Sequence, residues 1–288
     1  MLQRILAATD FSSTAQHAVA RAARLAAEAG ARLEVVHVAR PLSRSLLAWL
    51  RREPEVAAAV EAAHRRLDDV VASARRYGAD VRGHLVTGAP VTALAASARR
   101  FRANLVVVGA RGALRFRDQM LGTTAERLIE QHSGEVLVVR KPARAPYRTL
   151  LACVDTGPAA AQALRSALQL APQATARVLH AYEPPFASFL RHAGLHAQAR
   201  EHKALERRRA REALDAFLRD TNVDADRLKV TLKIGEPRQV IERAASQFDP
   251  ELTAVGHHTS PLAQPFLGSV ARHVLRMGLG DVLVSRHG

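Results

Sequence analysis

The chain has 288 residues, of which 48% are hydrophobic and 24% are charged, a balance typical of a soluble globular protein with one large domain or two ordinary ones. Its longest apolar run is far shorter than a membrane span, and residues 1–10 lack the basic region, apolar stretch and cleavage site of a signal peptide. The single cysteine, Cys153, cannot form an internal disulfide. We therefore expect a cytoplasmic protein without a membrane segment.

The formal net charge is +15, which favours nucleotides, other polyanions or anionic surfaces through long-range attraction. The same excess also follows from the use of arginine as the common solvated residue, since arginine is spread along nearly every predicted helix. The sequence shows no compact basic stripe interleaved with aromatic residues, as a nucleic-acid groove requires. The charge pattern thus argues against a nucleic-acid partner.

Short apolar stretches alternate with long amphipathic ones through the first half, as in a parallel sheet with helices on both faces. The predicted strands lie near residues 3–9, 33–39, 81–86, 104–108 and 135–139. The predicted helices lie near residues 13–29, 54–77, 90–101 and 123–132. Right-handed crossovers would give the strand order 3-2-1-4-5. The pattern predicts a doubly wound, Rossmann-like α/β domain.

The second half of the chain repeats the first. QRILAATD at 3–10 resembles RTLLACVD at 148–155, and LVVVG at 105–109 resembles LTAVG at 252–256. The two copies are offset by about 146 residues throughout. We therefore predict two tandem α/β domains of five strands each, at residues 1–143 and 147–288.

The predicted strand order leaves a crevice between the first and fourth strands, where α/β proteins bind ligands. Asp10 follows the first strand, and Gly109 ends the fourth. The chain then passes Gly112 and reaches Gly122-Thr123, where a helix begins. Glycines let backbone N–H groups approach a phosphate, and a helix N-terminus attracts an anion. The loop is predicted to bind phosphate; the alternative is a glycine loop that only turns the chain.

Gly109-x2-Gly112-x9-Gly122-Thr123, together with Asp10 and the Gly-Ala-Pro at 88–90, closely resembles the nucleotide-binding members of the universal stress protein family. The resemblance covers both halves and implies a tandem member that binds ATP in its first domain and acts as a stress-response regulator. The residues that it implies for the nucleotide are Ala8, Thr9, Asp10, Val38, Gly109, Arg111, Gly112, Gly122, Thr123 and Thr124.

The resemblance places the adenine near Ala8, Thr9 and Val38, and the triphosphate over the glycines and threonines. Asp10 is a candidate to accept a hydrogen bond from the ribose or base, or to help to hold Mg²⁺. Arg111 is a candidate to supply positive charge to the outer phosphates. The sequence shows no obvious general base, so no catalytic residue is assigned. ATP hydrolysis, if present, is expected to be slow.

The second copy departs from this motif. Thr259 stands where the middle glycine would be, and eight residues rather than nine follow it. Pro261 and Pro265 remove backbone donors from the loop. We therefore expect weak ATP binding in the second domain, or none.

Other features leave alternatives open. The histidines His257, His258 and His273 suggest a zinc site. However, adjacent histidines on an extended segment point apart, and no cysteine or carboxylate cluster nearby in the sequence completes the four ligands. We therefore expect loop histidines that bind no metal. Apolar inserts follow the second strand of each copy, at 46–50 and 185–190. We interpret them as lids over the crevices, as a partner-binding patch, or as segments that pack on their own domain. They motivate a different hypothesis, a ligand-free interaction scaffold.

The apolar last strands, 136–139 and 282–284, would be exposed sheet edges if left alone. Pairing them within one chain would give an intramolecular pseudo-dimer, which by resemblance matches the dimer contact of the family. A further homodimer is left open.

Overall fold

The structure is a computed structural model that describes residues 2–39, 54–112, 122–132, 134–257 and 267–286. The chain divides into two compact units, Met1–Pro146 and Tyr147–Gly288. These are called the first and second units below. Each contains a five-stranded parallel sheet in which strands alternate with helices, and the predicted fold class is confirmed.

In the first unit the sheet order is β3-β2-β1-β4-β5. The strands are β1 Arg4–Thr9, β2 Arg32–Ala39, β3 Asp80–Thr87, β4 Leu105–Gly109 and β5 Glu135–Val139. The helices are α1 Ser13–Ala29, α2 Pro54–Arg75, α3 Pro90–Phe101 and α4 Thr123–Gln131. The order 3-2-1-4-5 places the carboxyl ends of β1 and β4 side by side.

In the second unit the order is β8-β7-β6-β9-β10. The strands are β6 Thr149–Val154, β7 Thr175–Tyr182, β8 Leu228–Ile234, β9 Leu252–Gly256 and β10 Asp281–Ser285. The helices are α5 Pro158–Leu170, α6 Ala187–His192, α7 His196–Asp220, α8 Pro237–Phe248 and α9 Ser269–Met277, with a 3₁₀ turn at Ala225–Arg227. Among the described residues the second unit therefore repeats the strand order of the first.

The strand register shows that the repeat holds residue by residue. Ile5 pairs with Leu33 on one side and Leu105 on the other. Leu150, at the same place in the second unit, pairs with Ala176 and Leu252. A residue of the first unit can therefore be matched to its counterpart in the second from the register.

Local sequence explains where the first helix begins and ends. The Ser12 hydroxyl caps α1 by accepting a hydrogen bond from the backbone N–H of Ala15, and Gly30 ends the helix in the left-handed region at φ 62°. Helix α2 ends at Arg75, two residues before the predicted boundary, because the chain turns there toward Gly78 at φ 87°. The element boundaries otherwise lie within about two residues of the prediction, as local signals allow.

The described helices include none that is long and apolar enough to cross a lipid bilayer. The arginine run of α7 forms ion pairs along its own helix, Arg209 with Glu206 at 2.8 Å and Arg211 with Asp215 at 3.0 Å. The four side chains are at least partly exposed, so this run is a solvated helix face.

Candidate functional site

The carboxyl ends of β1, β2 and β4 and the N-terminus of α4 surround a cavity of about 340 Å³. The ten residues selected from the sequence all line it: Ala8, Thr9, Asp10, Val38, Gly109, Arg111, Gly112, Gly122, Thr123 and Thr124. The structure thus brings together residues that lie up to 116 positions apart in the chain.

Six residues beyond those ten also line the cavity: Ala15, Val36, Pro90, Leu94, Val108 and Ala125. Of these, only Pro90 belongs to a motif noted in the sequence, the Gly-Ala-Pro at 88–90. Two patterns point to three of them in retrospect. Val36 lies two positions before Val38 on the same face of β2, and Leu94 lies one helical turn after Pro90 at the start of α3. These apolar side chains give the cavity a nonpolar wall.

The turn after β1 holds Asp10 in a defined position. Its Oδ1 accepts a hydrogen bond of 3.0 Å from the backbone N–H of Ser12. Phe11 takes a left-handed conformation at φ 64°, and its ring packs 4.2 Å from that of His37. His37 in turn donates from Nδ1 to the Thr9 carbonyl oxygen at 2.8 Å. The carboxylate therefore sits on a rigid turn.

The two ends of the glycine loop are fixed by hydrogen bonds. The Ala110 N–H donates to the Val139 carbonyl oxygen, and the Gly122 N–H donates to the Ala110 carbonyl oxygen, each at 2.8 Å. The Thr14 hydroxyl donates to the Arg111 carbonyl oxygen at 2.5 Å. The described start and end of the loop are thus tied to β5, to each other and to α1.

At two of the glycines a side chain would meet other atoms of the protein. A Cβ on Gly109 would lie 2.9 Å from the carbonyl carbon and oxygen of Thr14, and one on Gly112 would lie 2.8 Å from Asp10 Oδ2. Gly109 therefore allows β4 to pack on α1 whether or not a ligand is present. Gly112 leaves room beside the Asp10 carboxylate.

The N-terminus of α4 faces the same cavity. Gly122 caps the helix without a side-chain hydrogen bond, so the cap leaves the first backbone N–H groups of α4 available at the cavity wall. The positive end of the helix dipole and the hydroxyls of Thr123 and Thr124 add to this donor set. With the Arg111 guanidinium, this end of the cavity is suited to an anion.

The second unit keeps the backbone frame of this site. Asp155 Oδ1 accepts from the Gly157 N–H at 3.0 Å, and Thr156 has φ 65°, as Asp10 and Phe11 do in the first unit. The Gly268 N–H donates to the His257 carbonyl oxygen at 3.0 Å. The substituted part of the loop, with Thr259, lies outside the described residues.

The remaining sequence candidates are dispersed. His257 is buried, with 1% of its surface exposed, and His273 Nε2 lies 3.4 Å from Glu242 Oε2, while His258 lies outside the described residues. In the part of the chain that the structure describes, no group of three or more metal-ligating side chains is placed to hold an ion. The apolar insert at 46–50 also lies outside that part.

Comparison with known proteins matches this geometry to a family. The model of the universal stress protein family fits the chain twice, at residues 1–140 and 146–286. The chain belongs to the universal stress protein family. It is a tandem member, since the family model matches each half of the chain separately.

Individual members of this family resemble the chain at modest identity. The universal stress protein Sll1388 of Synechocystis sp. is 26% identical over 152 residues, which cover 49% of this chain and 99% of that protein. A universal stress protein from Archaeoglobus fulgidus has the same fold, with a TM-score of 0.68, 17% identity and full coverage of both chains. A universal stress protein solved in complex with cAMP is 28% identical over 48% of this chain and 96% of its own, with a TM-score of 0.40.

Proposed function

We propose that the first unit binds ATP in the cavity between β1, β4 and α4, and that the protein acts as a nucleotide-responsive stress regulator. The supporting observation is that all ten motif residues line one cavity of about 340 Å³. This volume lies within the usual range for small-molecule sites, roughly 300–1,000 Å³. The proposal assigns the nucleotide to residues 1–143.

The lining chemistry fits an adenine nucleotide. Ala8, Val36, Val38 and Leu94 form an apolar wall suited to the base. Arg111 and the N-terminus of α4 supply charge and donors for the phosphates. Asp10 is suited to the ribose, or to Mg²⁺ that accompanies the triphosphate.

The proposed output is regulation rather than catalysis. Among the described lining residues Asp10 is the only carboxylate and no histidine is present, and the Ser12 N–H already occupies Asp10 Oδ1. ATP that binds one conformation of the loop more tightly than another stabilises the first by the difference between its two binding free energies. This difference is sufficient for a switch that needs no catalysis. In this proposal the second unit binds no ATP.

Titration of the full-length protein with ATP tests this proposal, and Asp155→Ala provides a matched control for Asp10→Ala. Both aspartates accept a backbone N–H two residues ahead at 3.0 Å, so the two variants lose the same local hydrogen bond. We expect ATP to bind at this site, with affinity reduced about tenfold or more by Asp10→Ala and unchanged by Asp155→Ala.

GTP and cAMP are titrated in parallel to define the base and the phosphate requirement. Absence of ATP binding, or equal losses in the Asp10→Ala and Asp155→Ala variants, would reject the proposal. Measurement of phosphate release in the same samples tests for slow hydrolysis of ATP. Phosphate release that Asp10→Ala leaves unchanged comes from a contaminant.

An interaction scaffold is the second candidate, favoured by two exposed aromatic residues after β7. Phe186 is 75% exposed and Phe189 is 68% exposed, more than large apolar side chains usually are. If this surface binds a protein partner, Phe186→Ser with Phe189→Ser abolishes capture of that partner while Asp10→Ala does not. The reverse result favours the nucleotide as the functional signal.

A further inference from the structure

The first unit has a second cavity, of about 470 Å³, at the opposite edge of its sheet, where β1, β2 and β3 begin. Five arginines line it: Arg4, Arg32, Arg82, Arg100 and Arg102. Glu34 and Asp80 are the only carboxylates among its described lining residues. We call this the basic cavity.

Strand register and one helix end assemble these arginines. Arg4 pairs with Arg32 across β1 and β2, which places them on neighbouring strands about 4.8 Å apart. Arg82 on β3 pairs with Glu34 on β2. Arg100 and Arg102 come from the C-terminal end of α3. The fold thus concentrates charges that are scattered over about 100 positions of the sequence.

The two carboxylates neutralise this charge only in part, Asp80 being paired with Arg32 and Glu34 with Arg82 across β2 and β3. Glu34 contacts His84, with Oε1 and Nε2 separated by 3.2 Å, and the Arg4 guanidinium donates to the carbonyl oxygen of Arg102 at 2.9 Å. Within the described ranges, no carboxylate lies within 4 Å of the guanidinium groups of Arg32 or Arg100. Several like charges around one concavity raise the local potential and attract anions.

The second unit lacks an arginine at several of the corresponding positions. By register Arg4 and Arg32 correspond to Thr149 and Thr175. Arg102, the left-handed residue after α3 at φ 51°, corresponds to Asp249 at φ 45° after α8. The set of five arginines is therefore a property of the first unit and not of the repeated fold.

The second unit has arginines where the first has carboxylates, Arg177 in place of Glu34 and Arg227 in place of Asp80, so the two regions differ little in net charge. Both of these arginines are engaged by the protein itself. The Arg177 guanidinium lies 4.0 Å from the centroid of the Phe248 ring, and Arg227 donates to the Pro172 carbonyl oxygen. Lys229 keeps the charge of Arg82, as the register shows. The contrast between the units thus lies in where the charges stand and in how far the protein engages them, and not in a large difference of net charge.

We propose that the basic cavity binds a small ligand with two or more closely spaced phosphate groups. Guanidinium forks match phosphate oxygens in geometry and charge, and several forks around one concavity favour a ligand with several phosphates over a single one. A volume of about 470 Å³ suits a compact ligand rather than a long polymer. This site is separate from the ATP site proposed above.

Titration of the full chain with inorganic tripolyphosphate tests this inference. The test variant carries Arg32→Thr and Arg100→Gln, the residues that the second unit has at these places, and the control carries Arg207→Thr and Arg208→Gln on the exposed face of α7. Both variants lose two positive charges. We expect a loss of about tenfold or more in the test variant and less than about twofold in the control.

Three results would overturn the inference. Equal losses of affinity in the two variants would show an effect of net charge alone, and complete competition of tripolyphosphate by ATP with no effect of the test variant would place binding at the glycine loop. Tighter binding of a single-stranded oligonucleotide that the test variant abolishes would make the partner a nucleic acid. Inorganic phosphate alone should bind far more weakly than tripolyphosphate. Thermal melting of each variant establishes that it is folded. Failure here leaves the ATP titration unaffected, because that experiment relies on Asp10.

Discussion

The hydroxyl of Thr14 donates a hydrogen bond of 2.5 Å to the backbone carbonyl oxygen of Arg111. This bond joins the first turn of α1, which follows Asp10, to the glycine loop that follows β4. Both halves of the candidate nucleotide site are therefore held by one interaction that does not involve the ligand.

Replacing Thr14 with valine removes this donor at nearly constant volume and should weaken ATP binding. A typical hydrogen bond within a protein contributes about 0.5–1.5 kcal/mol, so we expect roughly a two- to tenfold loss of affinity. Isothermal titration measures the loss, and Thr14→Ser, which keeps the hydroxyl, is the control. An unchanged affinity in Thr14→Val would show that the bond does not order the loop for binding.

A side chain at Gly112 should interfere with binding through Asp10. The Cβ of Gly112→Ala would lie 2.8 Å from Asp10 Oδ2, so the carboxylate or the loop must move. We expect the ATP affinity to fall about tenfold. In an Asp10→Ala background the same substitution should cost much less, because the obstructing oxygen is gone. Additive losses in this double-mutant cycle would contradict the mechanism.

Acid should destabilise the protein through His132, which follows α4 and is only 7% exposed. Burial, and next the positive charge of Arg99, lower the pKa of this histidine below its usual 6.5. The unfolded chain then binds the proton more readily, so stability falls as the pH drops below 6.5 and stops falling below the native pKa.

Urea unfolding of wild type and His132→Gln between pH 7.5 and 5 measures this contribution. The difference in the free energy of unfolding should change with pH in favour of the variant as the solution is acidified. A difference that stays constant over this range would exclude His132 as the source.

The thiol of Cys153 should be inert in the native protein. Cys153 is 7% exposed in β6, and burial raises the pKa of its thiol to about 12. A thiol reagent at pH 8 should therefore label the folded protein very slowly and the urea-unfolded protein at once. Rapid labelling of the native protein would show that β6 opens or that the thiol is accessible.

The sequence predicts the candidate nucleotide cavity well because its residues follow local rules. Asp10 and Gly109 stand at strand ends, and the carboxyl ends of neighbouring parallel strands must meet. The tandem repeat provides a second copy against which each position can be read. Leu94 is harder to select, because an apolar residue on a helix is also expected wherever the helix packs on the sheet.

The basic cavity could not be predicted in the same way. Arg4, Arg32 and Arg100 come from three different elements, and each alone reads as an ordinary solvated arginine. Only the parallel register and the position of the end of α3 place them around one concavity. The absence of a basic stripe in the sequence therefore does not exclude a basic cavity in the fold.

Hydrogen exchange of the full chain with and without ATP tests the central claim most directly, because it locates the ligand on the sequence. We predict that ATP slows exchange in peptides that contain residues 105–112 and 122–131, and leaves the matching peptides at 252–257 and 267–277 unchanged. Slowed exchange in the second set alone, or no change in either set at saturating ATP, would contradict the assignment of the nucleotide to the first unit.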